Sequence, residues 1–227
     1  MIGVFGGTFD PVHNGHLRIA LDVLDQLPLS CVHFIPCKTP VHRDKPMLAP
    51  EQRLHLLTLA IQDQVKFVAD DRELRRESSS YMIDTLGSLR DEFPEQPLLL
   101  MIGADAFAQF DQWHRWQDIL TQAHLVLMQR PGLNQSYAPE SYSAVLAEEL
   151  RQRMVGPAMD SPHKISGNLH QLLAKKSAGS IICVPVTQLE ISASEIRKKL
   201  KMGQGIDYLL PESVQKEVLN QNYYQLI

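Results

Sequence analysis

Residues 6–16 read GGTFDPVHNGH. Two glycines, an Asp-Pro and two histidines around Asn14-Gly15 follow the apolar run MIGVF at 1–5. Beyond them, Leu17, Ala20, Leu21, Leu24 and Leu27 fall at helical spacing until Pro28 stops the pattern. The stretch is therefore the turn between a strand and a helix, and it is loaded with polar groups. Such turns are where α/β proteins bind phosphate, because a helix N-terminus presents unpaired N–H groups and the positive end of the dipole. His13 and His16, three positions apart at that helix start, would face the same bound group, and Gly15 would let ligand and backbone approach closely. As a loop residue facing a ligand, His13 is expected to pack little.

Working outward, strand-like and helix-like segments alternate. Further strands are expected at 31–35, 65–69, 97–103, 124–128 and 181–186, with PLLLMIG at 97–103 the most apolar run and the best central strand. Helices are expected around Leu54, Leu57, Thr58 and Ile61, and around Met82, Ile83, Leu86, Leu89 and Phe93. Another is expected within 140–154, with two short ones at 194–201 and 211–220, the last opened by Pro211 at its first helical position. This order predicts an α/β fold: a Rossmann-like, doubly wound parallel sheet with helices on both faces. The chain reads as one domain over 1–227, with a polar excursion at about 133–179 and a helical C-terminal segment, 192–227.

Composition narrows the function classes. The 227 residues carry a net charge of −4, from 26 acidic and 22 basic residues, which argues against a nucleic-acid-coating surface. An anionic ligand must then be held by local donors. Cys31, Cys37 and Cys183 are an odd number without C-x-x-C spacing and read as reduced thiols of a cytoplasmic protein. No run of 18 apolar residues and no leader-like N-terminus is present, so no membrane partner is expected.

Neither G-x-G-x-x-G nor G-x-x-x-x-G-K-[ST] occurs, so the opening turn is not a dinucleotide-binding loop or a P-loop. A metal-dependent hydrolase using Asp10, His13 and His16 would need a further His/Asp cluster, and none completes the set, so no metal ligands are assigned. A second stretch, ISASEIRKKL at 191–200, answers the first. Ser192 with Glu195 three residues on fits a capping box and makes Ser192 the N-cap. Ser194 would sit in the first turn, and Arg197, one turn deeper, could reach the same anion with its fork of donors.

These two strings together resemble the adenylyl- and cytidylyltransferases of the HxGH nucleotidyltransferase superfamily. Within it, the chain resembles the bacterial nicotinate-nucleotide adenylyltransferases end to end, through GGTFDPVHNGH, SYMIDTL (80–86), MIGADAFAQFDQWHRW (101–116), QRPG (129–132) and ISASEIR. Two departures fall in the substrate loops: Pro40-Val41-His42 where the family has Pro-Pro-His, and His114 after Trp113 where it commonly has Tyr.

The resemblance implies that the doubly wound sheet is of nucleotidyltransferase type, and it implies transfer of the adenylyl group of ATP to nicotinate mononucleotide, giving deamido-NAD and pyrophosphate in NAD biosynthesis, with Mg²⁺ delivered on ATP. It implies His13, His16 and Arg197 as catalytic residues. ATP would be held by Gly6, Gly7, Thr8, Phe9, His13, His16, Gly103, Asp105, Ile191, Ser194 and Arg197. The mononucleotide would be held by Trp113 as a platform, the amides of Thr85 and His114, and Arg43 and Arg130. Partners are expected to be these two small molecules, with self-association into a homo-oligomer left open. Two alternatives remain: nicotinamide mononucleotide as the main acceptor, or a nucleotide-binding regulator without turnover.

Overall fold

The computed structural model describes residues 1–40, 45–77, 79–129, 142–155, 169, 171, 173 and 175–225. Its strands are β1 (Ile2–Gly7), β2 (Cys31–Pro36), β3 (Phe67–Ala69), β4 (Leu98–Gly103), β5 (His124–Gln129) and β6 (Ile181–Pro185). All pairings are parallel, in the order β3-β2-β1-β4-β5-β6. This is the doubly wound order, in which the direction of winding reverses between β1 and β4.

Side chains alternate across each strand, so both faces must be covered. Leu99 and Met101 of β4 enter one apolar cluster with Phe5, Val23 and Leu57, whereas Leu98, Leu100 and Ile102 enter another with Leu86, Leu89 and Ile119. Each fully buried aliphatic side chain contributes about 1.5–3 kcal/mol, which is why the most apolar run of the chain occupies the centre of the sheet.

The helices are α1 (Asn14–Gln26), α2 (Pro50–Ile61), α3 (Met82–Glu92), α4 (Ala104–Phe107), α5 (Trp116–Gln122), α6 (Ala144–Arg153), α7 (Ala193–Lys201) and α8 (Glu212–Asn220), with a 3-10 turn at Phe110–Gln112. Helix α1 begins three residues before Leu17, because the polar start of a helix carries no apolar periodicity. The short helices α4 and α5 and the 3-10 turn escape periodicity for a related reason, since none spans enough turns to display a stripe. Pro211 is the N-cap of α8 rather than its first helical residue. Strand β3 is shorter than 65–69, and Val65 lies 94% exposed. Part of the 133–179 excursion lies outside the described residues; within it, α6 buries Leu146, Ala147 and Leu150. No described helix is long and apolar enough to cross a membrane.

Candidate active site

The reversal of winding leaves a crevice beyond the carboxyl ends of β1 and β4, the place where open α/β sheets receive ligands. The turn 8–13 leaves β1 there, and Gly103 and Asp105 leave β4 there, Gly103 as the N-cap of α4 and Asp105 exposed in its first turn. The turn is shaped by Phe9, which adopts a left-handed φ of 49° and buries its ring at 2% exposure. That ring stands edge-on to Phe5 and to His16, at centroid distances of 5.8 and 5.1 Å. A Cβ on Gly7 would lie 2.8 Å from the Phe9 ring, so a glycine is required for the ring to fold back under the turn.

His13 is the N-cap of α1, in extended backbone conformation. Its N–H donates to Nδ1 of His16 (3.2 Å), and the two rings stack at 3.7 Å. The expectation that His13 packs little is wrong: it is 6% exposed. Its Nδ1 is buried without a hydrogen-bond partner among the described residues, and it sits over Gly15, where a Cβ would come within 3.0 Å. Burial pulls the imidazole down to about 4, with a backbone hydrogen bond opposing the shift more weakly. At neutral pH His13 is thus an uncharged ring with an unsatisfied polar atom at a helix N-terminus. The first helical amide, that of Asn14, is already taken by the Leu209 carbonyl (3.0 Å), while the Asn14 side chain donates to the Tyr208 carbonyl (2.7 Å).

Helix α7 is brought onto this turn from the far end of the chain. Ser192 caps it, its Oγ accepting from the Glu195 amide (3.2 Å), as the spacing predicts. Arg197 donates through Nη1 to the Asp10 carbonyl (2.5 Å) and through Nη2 to Ser194 Oγ (3.3 Å). Ile191 reaches the same place, its carbonyl 3.7 Å from the position a Cβ on Gly15 would take. The histidine turn and the Arg197 helix therefore meet.

Three residues outside the expected set hold the turn in place. Asp10, 4% exposed, accepts from the amides of Met47 (2.8 Å) and Leu48 (3.3 Å) and from the Tyr224 hydroxyl (2.8 Å). Burial first, and Asp10 second, push the Tyr224 hydroxyl far above its ordinary range, so it remains a donor. Arg53, fully buried on α2, donates to the carbonyls of Thr8 (2.6 Å), Cys37 (2.6 Å), Lys38 (3.4 Å) and Leu48 (3.4 Å). A lone Arg on a helical face reads as a solvated charge, so sequence offers no signal for it.

On the other side of the crevice, Tyr81 is the N-cap residue of α3 and its ring lies tilted against that of His114 (4.3 Å), joining the α3 start to the loop after the 3-10 turn. Trp113 in that loop is half-buried against Phe110, at 5.4 Å. The amide assigned to a ligand on Thr85 is here bonded to the Tyr81 carbonyl (3.2 Å), and Thr85 has no exposed surface. It is the fourth residue of α3, where the ordinary helical bond claims the N–H. Its hydroxyl donates to the buried Glu73 carboxylate (2.6 Å), and Ser80 accepts from the Lys38 amide (3.0 Å). Arg43 and Arg130, with Val41, lie outside the described residues.

Residues 4–199 match the protein family described as cytidylyltransferase-like. Over 225 residues, the chain is 40% identical to a protein of Methylococcus capsulatus named "Probable nicotinate-nucleotide adenylyltransferase", covering 99% of each chain. It is 39% identical to a protein of the same name from Hydrogenovibrio crunogenus, covering 99% of this chain and 98% of that one. Among solved structures, it resembles Plasmodium falciparum nicotinic acid mononucleotide adenylyltransferase complexed with NaAD, with a TM-score of 0.66, 17% identity, and coverage of 98% of this chain and 96% of that one. A second structure of the Plasmodium enzyme, complexed with APC, gives a TM-score of 0.64 at 16% identity, again covering 98% and 96%. At such identity the solved structures speak for the fold alone.

Proposed function

The chain belongs to the cytidylyltransferase-like family, and we infer that it transfers the adenylyl group of ATP to nicotinate mononucleotide, yielding deamido-NAD and pyrophosphate. The observation that carries this reading is the meeting, at Asp10, of the His13 turn with Arg197, which lies 187 residues further along the chain. Both bring donors suited to phosphate to the crevice at the reversal of winding. The relatives' shared name, along the full length of the chain, specifies the acceptor.

A phosphate monoester is a nucleophile at neutral pH without deprotonation by the protein. The mononucleotide phosphate attacks the α-phosphorus of ATP, the bond to the bridging oxygen breaks, and pyrophosphate leaves. No covalent residue and no dedicated base are needed, so the protein contributes positioning and cancellation of charge on the phosphoryl oxygens. We assign the neutral His13 ring as a donor to those oxygens, with His16 beside it. Ser194 and Arg197 hold the departing phosphates, with the amides of Thr8 and Phe9 and the glycines Gly6 and Gly7 forming the floor. Gly103 and Asp105 suit the ribose, since an exposed carboxylate can accept from two hydroxyls. Trp113 and the His114 amide suit the pyridine ring and its carboxylate.

Mg²⁺ enters as part of the ATP substrate, with phosphate and water as its ligands. Among the described residues no three His, Cys, Asp or Glu side chains are grouped to hold a metal, and Asp10 spends its carboxylate on Met47, Leu48 and Tyr224. The test is pyrophosphate release from MgATP with each mononucleotide in turn. Release that depends on nicotinate mononucleotide is expected; phosphate release without a second substrate, or no turnover with either, would overturn the assignment.

A further inference from the structure

Three segments far apart in sequence converge on the side chain of Asp10: the approach to α2, helix α7, and the residues after α8. Oδ2 accepts from the Met47 amide (2.8 Å), while Oδ1 accepts from the Leu48 amide (3.3 Å) and the Tyr224 hydroxyl (2.8 Å). Arg197 arrives from α7, yet its hydrogen bond goes to the main-chain carbonyl of Asp10 (2.5 Å). Its Nη1 stays 3.8 Å from Oδ2, beyond hydrogen-bond reach. A buried carboxylate and a guanidinium so close ordinarily join through parallel N–H···O bonds. Here they do not, and the three donors already on the carboxylate supply the reason.

The backbone around Tyr224 is shaped for this contact. After α8 the chain turns back, with the Tyr223 amide bonded to the Val218 carbonyl (3.0 Å) and with left-handed φ at Asn222 (54°) and Tyr224 (65°). A bulky residue keeps such backbone only where its surroundings hold it, and Tyr224 is 4% exposed. Tyr208, whose carbonyl receives the Asn14 side chain (2.7 Å), is left-handed as well (64°), and so is Phe9 within the turn (49°). Four of the five non-glycine residues with positive φ among those described thus lie in the nucleotide turn or in the segment that grips it. Such residues cluster where geometry serves a ligand, so the C-terminal segment is fitted to the turn rather than merely adjacent to it.

We propose that Tyr224 is a positioning residue for ATP binding: its hydroxyl occupies the Asp10 carboxylate, keeps Arg197 out of an ion pair, and leaves that guanidinium to the phosphates. The proposal rests on the assignment of Arg197 to ATP made above. Without the hydroxyl, Oδ1 keeps only the long bond from the Leu48 amide, and a buried carboxylate short of donors draws in a cation. Arg53 is committed to four carbonyls, whereas Arg197 needs to move by only about 1 Å to reach bonding distance. Captured in this way, Arg197 would meet ATP with its charge neutralised and fewer free donors.

The experiment is calorimetric binding of MgATP, without a mononucleotide, to the full chain and its variants, with thermal midpoints confirming that each is folded. Tyr224→Phe keeps the ring and removes only the hydroxyl; it should weaken binding by roughly threefold to tenfold, less than loss of Arg197 itself. In kinetics, KM for ATP should rise while KM for nicotinate mononucleotide does not, a split that general loosening of the fold would not produce. Adding Asp10→Asn, which removes the charge that captures Arg197, should recover most of the loss. In an Arg197→Ala background, Tyr224→Phe should have no further effect, since the two act as one unit. Wild-type affinity in Tyr224→Phe, the same loss in the Arg197→Ala background, or no recovery with Asp10→Asn would each overturn the proposal. Should Tyr224→Phe not fold, Asp10→Asn alone decides: it should bind MgATP at least as tightly as the wild type, and weaker binding overturns the proposal. A wild type that binds MgATP but releases no pyrophosphate with either mononucleotide would overturn the adenylyl-transfer reading instead, and the binding comparison would still decide the role of Tyr224.

Discussion

Replacing His13 with glutamine tests whether burial holds the ring uncharged before ATP arrives. The imidazole is 6% exposed and is pulled down to about 4, whereas in an unfolded chain it titrates near 6.5. Between those values the unfolded chain takes up a proton that the folded protein excludes. The sign follows: with the folded value below the unfolded one, stability is unaffected above the unfolded value and falls as pH drops through the window. At about 1.4 kcal/mol per pKa unit, the loss is about 2 kcal/mol at pH 5 and approaches about 3 kcal/mol near pH 4. Glutamine fills a similar space and does not titrate, so it escapes this loss. Urea unfolding of both proteins at pH 7 and pH 5 should show their stability difference moving by about 2 kcal/mol in the variant's favour in acid. An identical difference at the two pH values would refute the argument that burial keeps the ring neutral.

The same reasoning reaches the substrate. A polyphosphate set against the ring opposes burial, so ATP binding near pH 5 should draw a proton onto His13. Titration calorimetry in buffers of different ionisation heat would reveal that uptake in the natural protein and its loss in the glutamine variant. For His13→Ala, kcat at pH 7 should fall by roughly 10²–10³, the cost of losing one preorganised donor.

Arg197→Lys keeps the charge but loses the fork that spans Asp10 and Ser194, and should lower kcat/KM for ATP by roughly tenfold or more; wild-type kinetics for both Arg197→Lys and Arg197→Ala would show that α7 does not face ATP. Arg53→Met should destabilise the fold by at least about 3 kcal/mol, because the carbonyls of Thr8, Cys37, Lys38 and Leu48 lose their buried donor; a thermal midpoint within a degree or two of the natural protein would contradict this. Nicotinate mononucleotide should be preferred over nicotinamide mononucleotide by at least roughly tenfold in kcat/KM, since a carboxamide turning its NH₂ toward a main-chain N–H strands a donor at about 1–3 kcal/mol; equal values would sink the pocket drawn here.

The parts of this molecule legible in the sequence are those where one chemical demand falls on neighbouring residues. The six strands were readable because a sheet covered on both faces needs unbroken apolar runs, and MIGVF, PLLLMIG and HLVLM supply them. Ser192 was readable because a cap and its amide lie three residues apart. The short helices between Ala104 and Gln122 were not, since one or two turns leave no period to detect. Arg53 was invisible for a different reason. Its partners are carbonyls, which every residue possesses, so nothing in the identities of residues 8, 37, 38 and 48 announces them.

This difference also explains why the side of the crevice where His13 meets Arg197, assigned above to phosphate, is more contiguous in sequence than the side assigned to the pyridine ring. A helix start and the side chains beside it suit phosphate in general, and such a site is nearly contiguous: His13, Gly15 and His16 form one string, and Ser192, Ser194 and Arg197 form another. The side assigned to the pyridine ring is assembled from the start of α3 and the loop at 113–115, joined by a Tyr81–His114 contact that no spacing rule encodes. Its proposed donors are main-chain amides, whose availability depends on backbone path rather than on residue type. Thr85 illustrates the point, for its N–H is claimed by the Tyr81 carbonyl, and it can serve a carboxylate only if the first turn of α3 loosens. The buried Glu73 resists that loosening. It grips the Thr85 hydroxyl with one oxygen, its other oxygen has no partner among the described residues, and burial raises its affinity for a proton. A carboxylate-bearing ring would therefore be met either by the His114 amide with the Thr85 helix intact, or by both amides after the Glu73–Thr85 contact has shifted. In the first case Glu73→Gln would leave KM for the mononucleotide unchanged, and in the second it would change KM for the mononucleotide while sparing that for ATP.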